Sequence, residues 1–336
     1  MKQGSISSNK VNYGIVLARF IAIFLVVLLH AAAGPVGIKT SPEWEWANVY
    51  SAISKQCIGI FIVITGFLYY HKKKFEFNDY LKKGFSVLFI PLVFWWVVYA
   101  AYYVIFNDVT IDSFNIMKPS SDHLWFMYHY IAIYLFLPLI VIGCREMELR
   151  YSLLIFVVLF YGNSIHPQIR NFIPQAPSIN MPFISTLMFY VFAGCIAARL
   201  EKHIIKFRFI ILLTALTLAG LSIFVNKAIL IHGLKGLNLS NFSPIVGITA
   251  ISTTYACIGY AENLSKNTNK LVKVVSKYAF GVYLIHPLVI FISWEILPVS
   301  NYAWGIPVAT IFYVTVSTLI AMLLSRVPVL NRVIAQ

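Results

Sequence analysis

Arg19 and His30 lie in one apolar stretch, Ile15 to Ala33, with no other ionisable residue inside it. Histidine takes and gives a proton near neutral pH and suits general-base work on a hydroxyl. Arginine keeps its charge, and its planar five-donor fork suits phosphate and pyrophosphate groups. The two positions are eleven apart. On a helix that is three turns plus about 20°, so both side chains share a face, about 16 Å apart along the axis. The stretch is long enough to cross a bilayer, where an embedded charge faces protein or a watery cavity. The pair is therefore expected to point into a shared polar passage, a cation at one depth and an acid/base group at another. The plainer alternatives are a histidine bonded to a neighbouring helix and an arginine that snorkels to the interface.

Further polar residues interrupt other apolar runs. His286 precedes Pro287 in the segment YLIHPLV, and Glu295 follows near the outer end of the same run. Such a carboxylate can orient His30, bind a sugar hydroxyl or pair with Lys55. Lys55 and Gln56 sit early in the second run as further cavity residues. The segment DHLWFMYHY, Asp122 to Tyr130, packs His123, Trp125 and His129 into a polar–aromatic patch. His123 and His129 are six apart, which is wrong for an i, i+4 metal pair, so no metal site is expected. Lys72, Lys73 and Lys74, followed by Lys82 and Lys83, form a dense basic cluster. It reads as topology and lipid headgroup contact, or as a collar for an anionic donor such as coenzyme A.

The elements that must position these groups are helices. The 336 residues are 60% hydrophobic and 11% charged, against about 25% charged in soluble domains. Segments of about ten residues with alternating polarity, the mark of a membrane β-barrel, do not occur. The expected fold is all-α and polytopic, one membrane domain over residues 1–336. Ten spans are expected at roughly 15–33, 52–70, 84–106, 124–143, 151–163, 183–199, 208–226, 243–260, 279–297 and 303–324. The fifth is the weakest.

Basic residues concentrate in alternate loops, which places both termini in the cytoplasm by the positive-inside rule. Arg19 then lies near the cytoplasmic end of the first span and His30 toward the outer side. The same topology explains the net charge of +14, so no nucleic-acid partner is expected. Cys57, Cys144, Cys195 and Cys257 are scattered and read as packing residues. No cleavable leader is expected, since the first apolar run is too long for one. No Walker A loop, Rossmann fingerprint or G-x-S-x-G elbow occurs. No internal repeat is evident, which disfavours a duplicated transporter.

Five segments in order carry a resemblance. ARFIAIFLVVLLH (Ala18 to His30) resembles the first span of the integral-membrane acyltransferase-3 family, with an Arg, ten residues and a His. TGFLYY (Thr65 to Tyr70) resembles the end of that family's second span. YLKKGFSVLFIPLVFWW resembles the basic lead-in to its third, with Lys82 and Lys83 where arginines are usual. HLWF (His123 to Phe126) and GVYLIHPL (Gly281 to Leu288) match further family segments. Length and the lack of an appended domain are similar to the stand-alone O-acetyltransferases of surface polysaccharides, the enterobacterial-common-antigen type among them.

The resemblance implies acetyl-CoA as donor, a glycan or lipid-linked glycan as acceptor, and a place among the lipids of the bacterial inner membrane. It implies that Arg19, with Lys73, Lys82 and Lys83, holds the donor's phosphates. His30 then either deprotonates the acceptor hydroxyl or carries the acetyl group transiently. His286 and Glu295 are expected to assist it, and His123, Trp125, Lys55 and Tyr283 to contact the acceptor. A transporter or flippase of a small anion or lipid-linked glycan is the alternative, and a non-catalytic scaffold a third.

Overall fold

The computed structural model describes residues 12–72, 74–173, 175, 186–233, 239–263, 269–294, 299 and 301–334. No strand occurs among them. The chain runs α1 (Tyr13–Gly37), α2 (Trp44–Ser54), α3 (Cys57–Tyr70), α4 (Phe77–Gly84), α5 (Ile90–Phe106) and α6 (Trp125–Glu146). It continues with α7 (Leu149–Phe160), α8 (His166–Phe172), α9 (Met188–Arg199), α10 (Glu201–His232) and α11 (Pro244–Gly259). Last come α12 (Lys270–Lys277), α13 (Ala279–Trp294), α14 (Tyr302–Leu324) and the short α15 (Pro328–Asn331).

Helix falls on every stretch where the hydropathy pattern predicts a span. By length and apolarity, seven described stretches can cross a bilayer alone, and the bent pair α12–α13 makes an eighth. α9, with 12 residues, and α11, with 16, are shorter. At 1.5 Å per residue they reach about 18 and 24 Å, less than a hydrocarbon core of about 30 Å. Helix length therefore supports seven or eight spans where the pattern predicts ten. The fifth stretch is longer than expected and runs over Leu149–Phe172.

Local chemistry sets several boundaries. Asn12 caps α1, its side chain accepting from the Ile15 N–H at 3.2 Å. Two π-helical turns, Phe85–Phe89 and Tyr161–Ile165, each end two residues before a proline, Pro91 and Pro167. A proline lacks the N–H for the carbonyl four residues back, and a widened turn absorbs the defect. The second expected span is broken: Lys55 and Gln56 form a turn between α2 and α3.

α1 is the hub of the bundle, packing against α2, α3, α11, α12, α13 and α14. That central place is why a helix with two ionisable side chains is tolerated, since both face protein. α3 and α9 approach backbone to backbone. A Cβ on Gly194 would meet the Val63 carbonyl oxygen at 2.2 Å, and one on Gly66 the Val191 carbonyl oxygen at 2.3 Å. Small residues permit such crossings in membranes. α10 turns Phe209, Ile210, Leu216 and Phe224 outward, exposed as on a lipid-facing surface.

Basic side chains also serve as caps. Arg145 donates from Nε to the Tyr70 carbonyl at 2.9 Å and from Nη2 to that of Tyr69 at 2.9 Å, closing the end of α3. Arg199 does the same for α6, donating to the carbonyls of Cys144 at 2.9 Å and Met147 at 2.8 Å.

Candidate active site

His30 opens onto a cavity of about 610 Å³. Its walls come from α1, the end of α2 and the turn after it, α5, the short turn before α6 and the second half of α13, and include Lys55, Tyr103, Asp122, His123 and Trp294. The ring of His30 stands 5.0 Å from that of His286 and 6.5 Å from that of His123, centroid to centroid, and the latter two are 5.7 Å apart. Three segments singled out by residue type, far apart in the chain, thus bring three imidazoles together.

The neighbours of this trio fix its chemistry. Nδ1 of His286 donates to the Val282 carbonyl at 3.0 Å. A carbonyl only accepts, so the proton of neutral His286 is on Nδ1 and its Nε2 offers a lone pair. That Nε2 is buried and has no hydrogen-bond partner among the described residues, and the same holds for Nε2 of His123. Nδ1 of His123 meets the Ser121 hydroxyl at 3.2 Å. Tyr99 stands edge-on to His123 at 4.7 Å and is anchored by its hydroxyl, which donates to the Leu284 carbonyl at 2.7 Å. Fully buried polar nitrogens without partners are rare. Two of them lie beside His30.

Arg19 does not share this cavity. It lines a second one of about 280 Å³ together with Thr65, Tyr69, Phe126, Tyr130 and Tyr283. Its guanidinium has no hydrogen-bond or ion-pair partner among the described residues. Thr65 donates to the Phe61 carbonyl at 2.9 Å, which leaves Tyr130 to donate to Thr65 at 3.0 Å. A free fork beside two hydroxyls suits an anionic group. The two linings have no residue in common. Tyr283 on one side touches His123 on the other, with rings 5.6 Å apart. The single passage expected from the spacing is therefore two chambers, divided by bulky aromatics of α6 and α13 that hydropathy does not reveal.

The remaining candidates divide. Lys55 reaches the His30 chamber, its ammonium donating to Asn226 Oδ1 at 3.2 Å and the Leu239 carbonyl at 2.6 Å. Trp125 lines neither chamber and packs on His129 and Phe242 instead. Lys82 edges an apolar groove against Phe85 and Tyr134, and Lys83 is exposed. Neither borders Arg19, because α4 ends before the π turn that carries the chain to that depth. Lys73 and Glu295 lie outside the described residues.

Lys72 belongs to the expected basic cluster, whereas Asp122, Trp294 and Tyr130 are not among the expected site residues. Lys72, not Lys82 or Lys83, stands over the rings of Tyr69, Phe75 and Tyr80 and so adjoins the Arg19 chamber. Asp122 and Trp294 border His30, and Tyr130 borders Arg19. Asp122 and Tyr130 bound the quoted DHLWFMYHY segment, the one signal that pointed toward them.

Neither the curated proteins nor the solved structures yield a match to the chain. The profile of the acyltransferase domain family matches residues 12–326, which takes in both chambers and every described helix that lines them. With an arginine chamber and a histidine chamber strung along one central helix, the chain belongs to the acyltransferase-3 family of multi-pass membrane acyltransferases.

Proposed function

We propose that the protein is an O-acetyltransferase of the bacterial inner membrane. It takes acetyl from cytoplasmic acetyl-CoA and delivers it to a hydroxyl of a cell-surface glycan or its lipid-linked precursor. Family membership supplies the acyltransferase activity. The observation that carries the rest is the placement of Arg19 and His30 on one helix in two adjoining chambers.

Arg19 holds an anionic group of the donor, with Thr65 and Tyr130 beside it. A chamber of about 280 Å³ takes only part of coenzyme A, so the remainder extends toward the basic end near Lys72. The thioester meets His30 when Tyr283 parts from His123. The bond between them is a single hydroxyl–carbonyl contact, worth about 0.5–1.5 kcal/mol net, and its loss is a small barrier. At His30, the nitrogen bearing the lone pair takes the acceptor's O–H proton, the oxygen attacks the thioester carbonyl, and the departing thiolate receives that proton. In the covalent variant the same nitrogen attacks first, releases the thiol, and the acyl-imidazole is then opened by the acceptor hydroxyl. Both routes require a fixed imidazole, and the ring of His286 packs 5.0 Å from that of His30.

Purified protein with labelled acetyl-CoA tests the reading. Thiol release coupled to labelled glycan is the expected result. Label carried on His30 in donor-only incubations, sensitive to hydroxylamine, identifies the covalent route, and its absence the direct one. Protein that binds acetyl-CoA yet releases no thiol with any surface glycan contradicts the proposal.

A further inference from the structure

Gly34 lies four residues beyond His30 on α1, one helical turn away and on the same face. The benzo ring of Trp294 rests on it. A Cβ at Gly34 would come within 3.0 Å of Trp294 Cη2 and 3.2 Å of Cζ2. The missing side chain is therefore what lets the indole lie against the helix at that point. Trp294 is still 37% exposed, and it lines the His30 chamber. Lys55 and Asp122 line the same chamber, and the buried, unpartnered Nε2 of His123 adjoins it.

We infer that Trp294, seated on Gly34, is the stacking platform for the sugar ring whose hydroxyl is acylated. The inference rests on the proposed glycan acceptor. A pyranose has one face of C–H bonds whose hydrogens are weakly positive, and an indole presents a negative π face to them. The ring's other edges carry hydroxyls, which need partners when they leave water. Lys55 retains an ammonium proton beyond the two engaged by Asn226 and Leu239, and Asp122 offers acceptor oxygens. A chamber of about 610 Å³ accommodates one sugar and part of its neighbour, within the range of about 300–1,000 Å³ usual for small-molecule sites. One turn from the base, the platform sets which hydroxyl His30 meets. A fatty chain would use the indole but not the third ammonium proton of Lys55 or the oxygens of Asp122.

The test is a deletion strain complemented with variants, each checked for equal protein in the membrane, with ester-linked acetyl on the surface glycan measured by mass spectrometry. Trp294→Ala and Trp294→Leu should lower acetylation about tenfold, while Trp294→Phe and Trp294→Tyr stay within about threefold of wild type. Gly34→Val should lower it in the wild-type background, yet add nothing to Trp294→Ala, since the valine acts only by displacing the indole. Trp294→Leu equal to wild type, or Trp294→Phe as low as Trp294→Ala, overturns the platform while leaving the acetyltransferase reading standing. A wild-type gene that restores no acetyl ester overturns that reading, and the platform with it.

Discussion

The hydroxyl of Tyr283 donates to the main-chain carbonyl of His123 at 2.6 Å, joining α13 to the short turn before α6 between the chambers of Arg19 and His30. On the proposed assignment of the chambers, the contact keeps the donor side apart from the acceptor side. Water excluded from a reacting thioester is water that cannot hydrolyse it.

Tyr283→Ala should therefore uncouple the enzyme. Acetyl-CoA hydrolysis without acceptor is expected to rise about threefold or more relative to transfer. Tyr283→Phe keeps the ring but loses the hydroxyl–carbonyl bond, and should raise hydrolysis less than Tyr283→Ala does. Thiol release with and without acceptor measures both, and an unchanged ratio in Tyr283→Ala contradicts the partition.

His286 tests the imidazole pair. Leucine at 286 removes the polar ring packed beside His30, whereas glutamine keeps a polar amide there. Transfer is expected to fall about 10²-fold in His286→Leu and much less in His286→Gln. A steady-state comparison at saturating acetyl-CoA shows this in kcat. Equal loss in both variants would mean that His286 only fills space.

Arg19→Lys keeps a charge but loses the fork, and Arg19→Ala loses both. If the guanidinium grips an anionic group, KM for acetyl-CoA should rise about tenfold in the first and about 100-fold in the second. Isothermal titration with coenzyme A gives the same order without turnover. Unchanged affinity in Arg19→Ala contradicts the role.

Asn226 is buried, donating to Asn48 Oδ1 at 2.8 Å while accepting from Lys55 at 3.2 Å. Asn226→Leu leaves Asn48 Oδ1 without its donor and Lys55 with the Leu239 carbonyl alone, and should cost about 1–3 kcal/mol. Thermal unfolding in nanodiscs measures it. The double variant Asn48→Leu, Asn226→Leu should lose less than the sum of the single changes.

Much of this was legible before any coordinates. Apolar runs placed the long helices, though not α4, α8, α12 or α15, because in lipid the backbone must satisfy itself within one segment. Arg19, His30 and His286 stood out because an ionisable group in an apolar run is expensive. The spans were harder to count, since a buried helix such as α9 is as apolar as one in lipid but need not be as long. Trp294 and Tyr130 escaped notice because an aromatic residue in a membrane sequence is unremarkable until its neighbours are known. The lysines are hard to tell apart by sequence for a related reason. Lys72, Lys82 and Lys83 are alike in composition, and only the fold of α4 over Tyr134 separates the one near Arg19 from the two that face outward.

The central claim is that His30 performs the acyl transfer. Its most direct test is the amount of labelled acetyl moved from acetyl-CoA to surface glycan by His30→Ala, in membranes matched to wild type for protein content and thermal stability. Transfer reduced to background, with coenzyme A affinity retained through Arg19, is the predicted result. Transfer at the wild-type rate would contradict it.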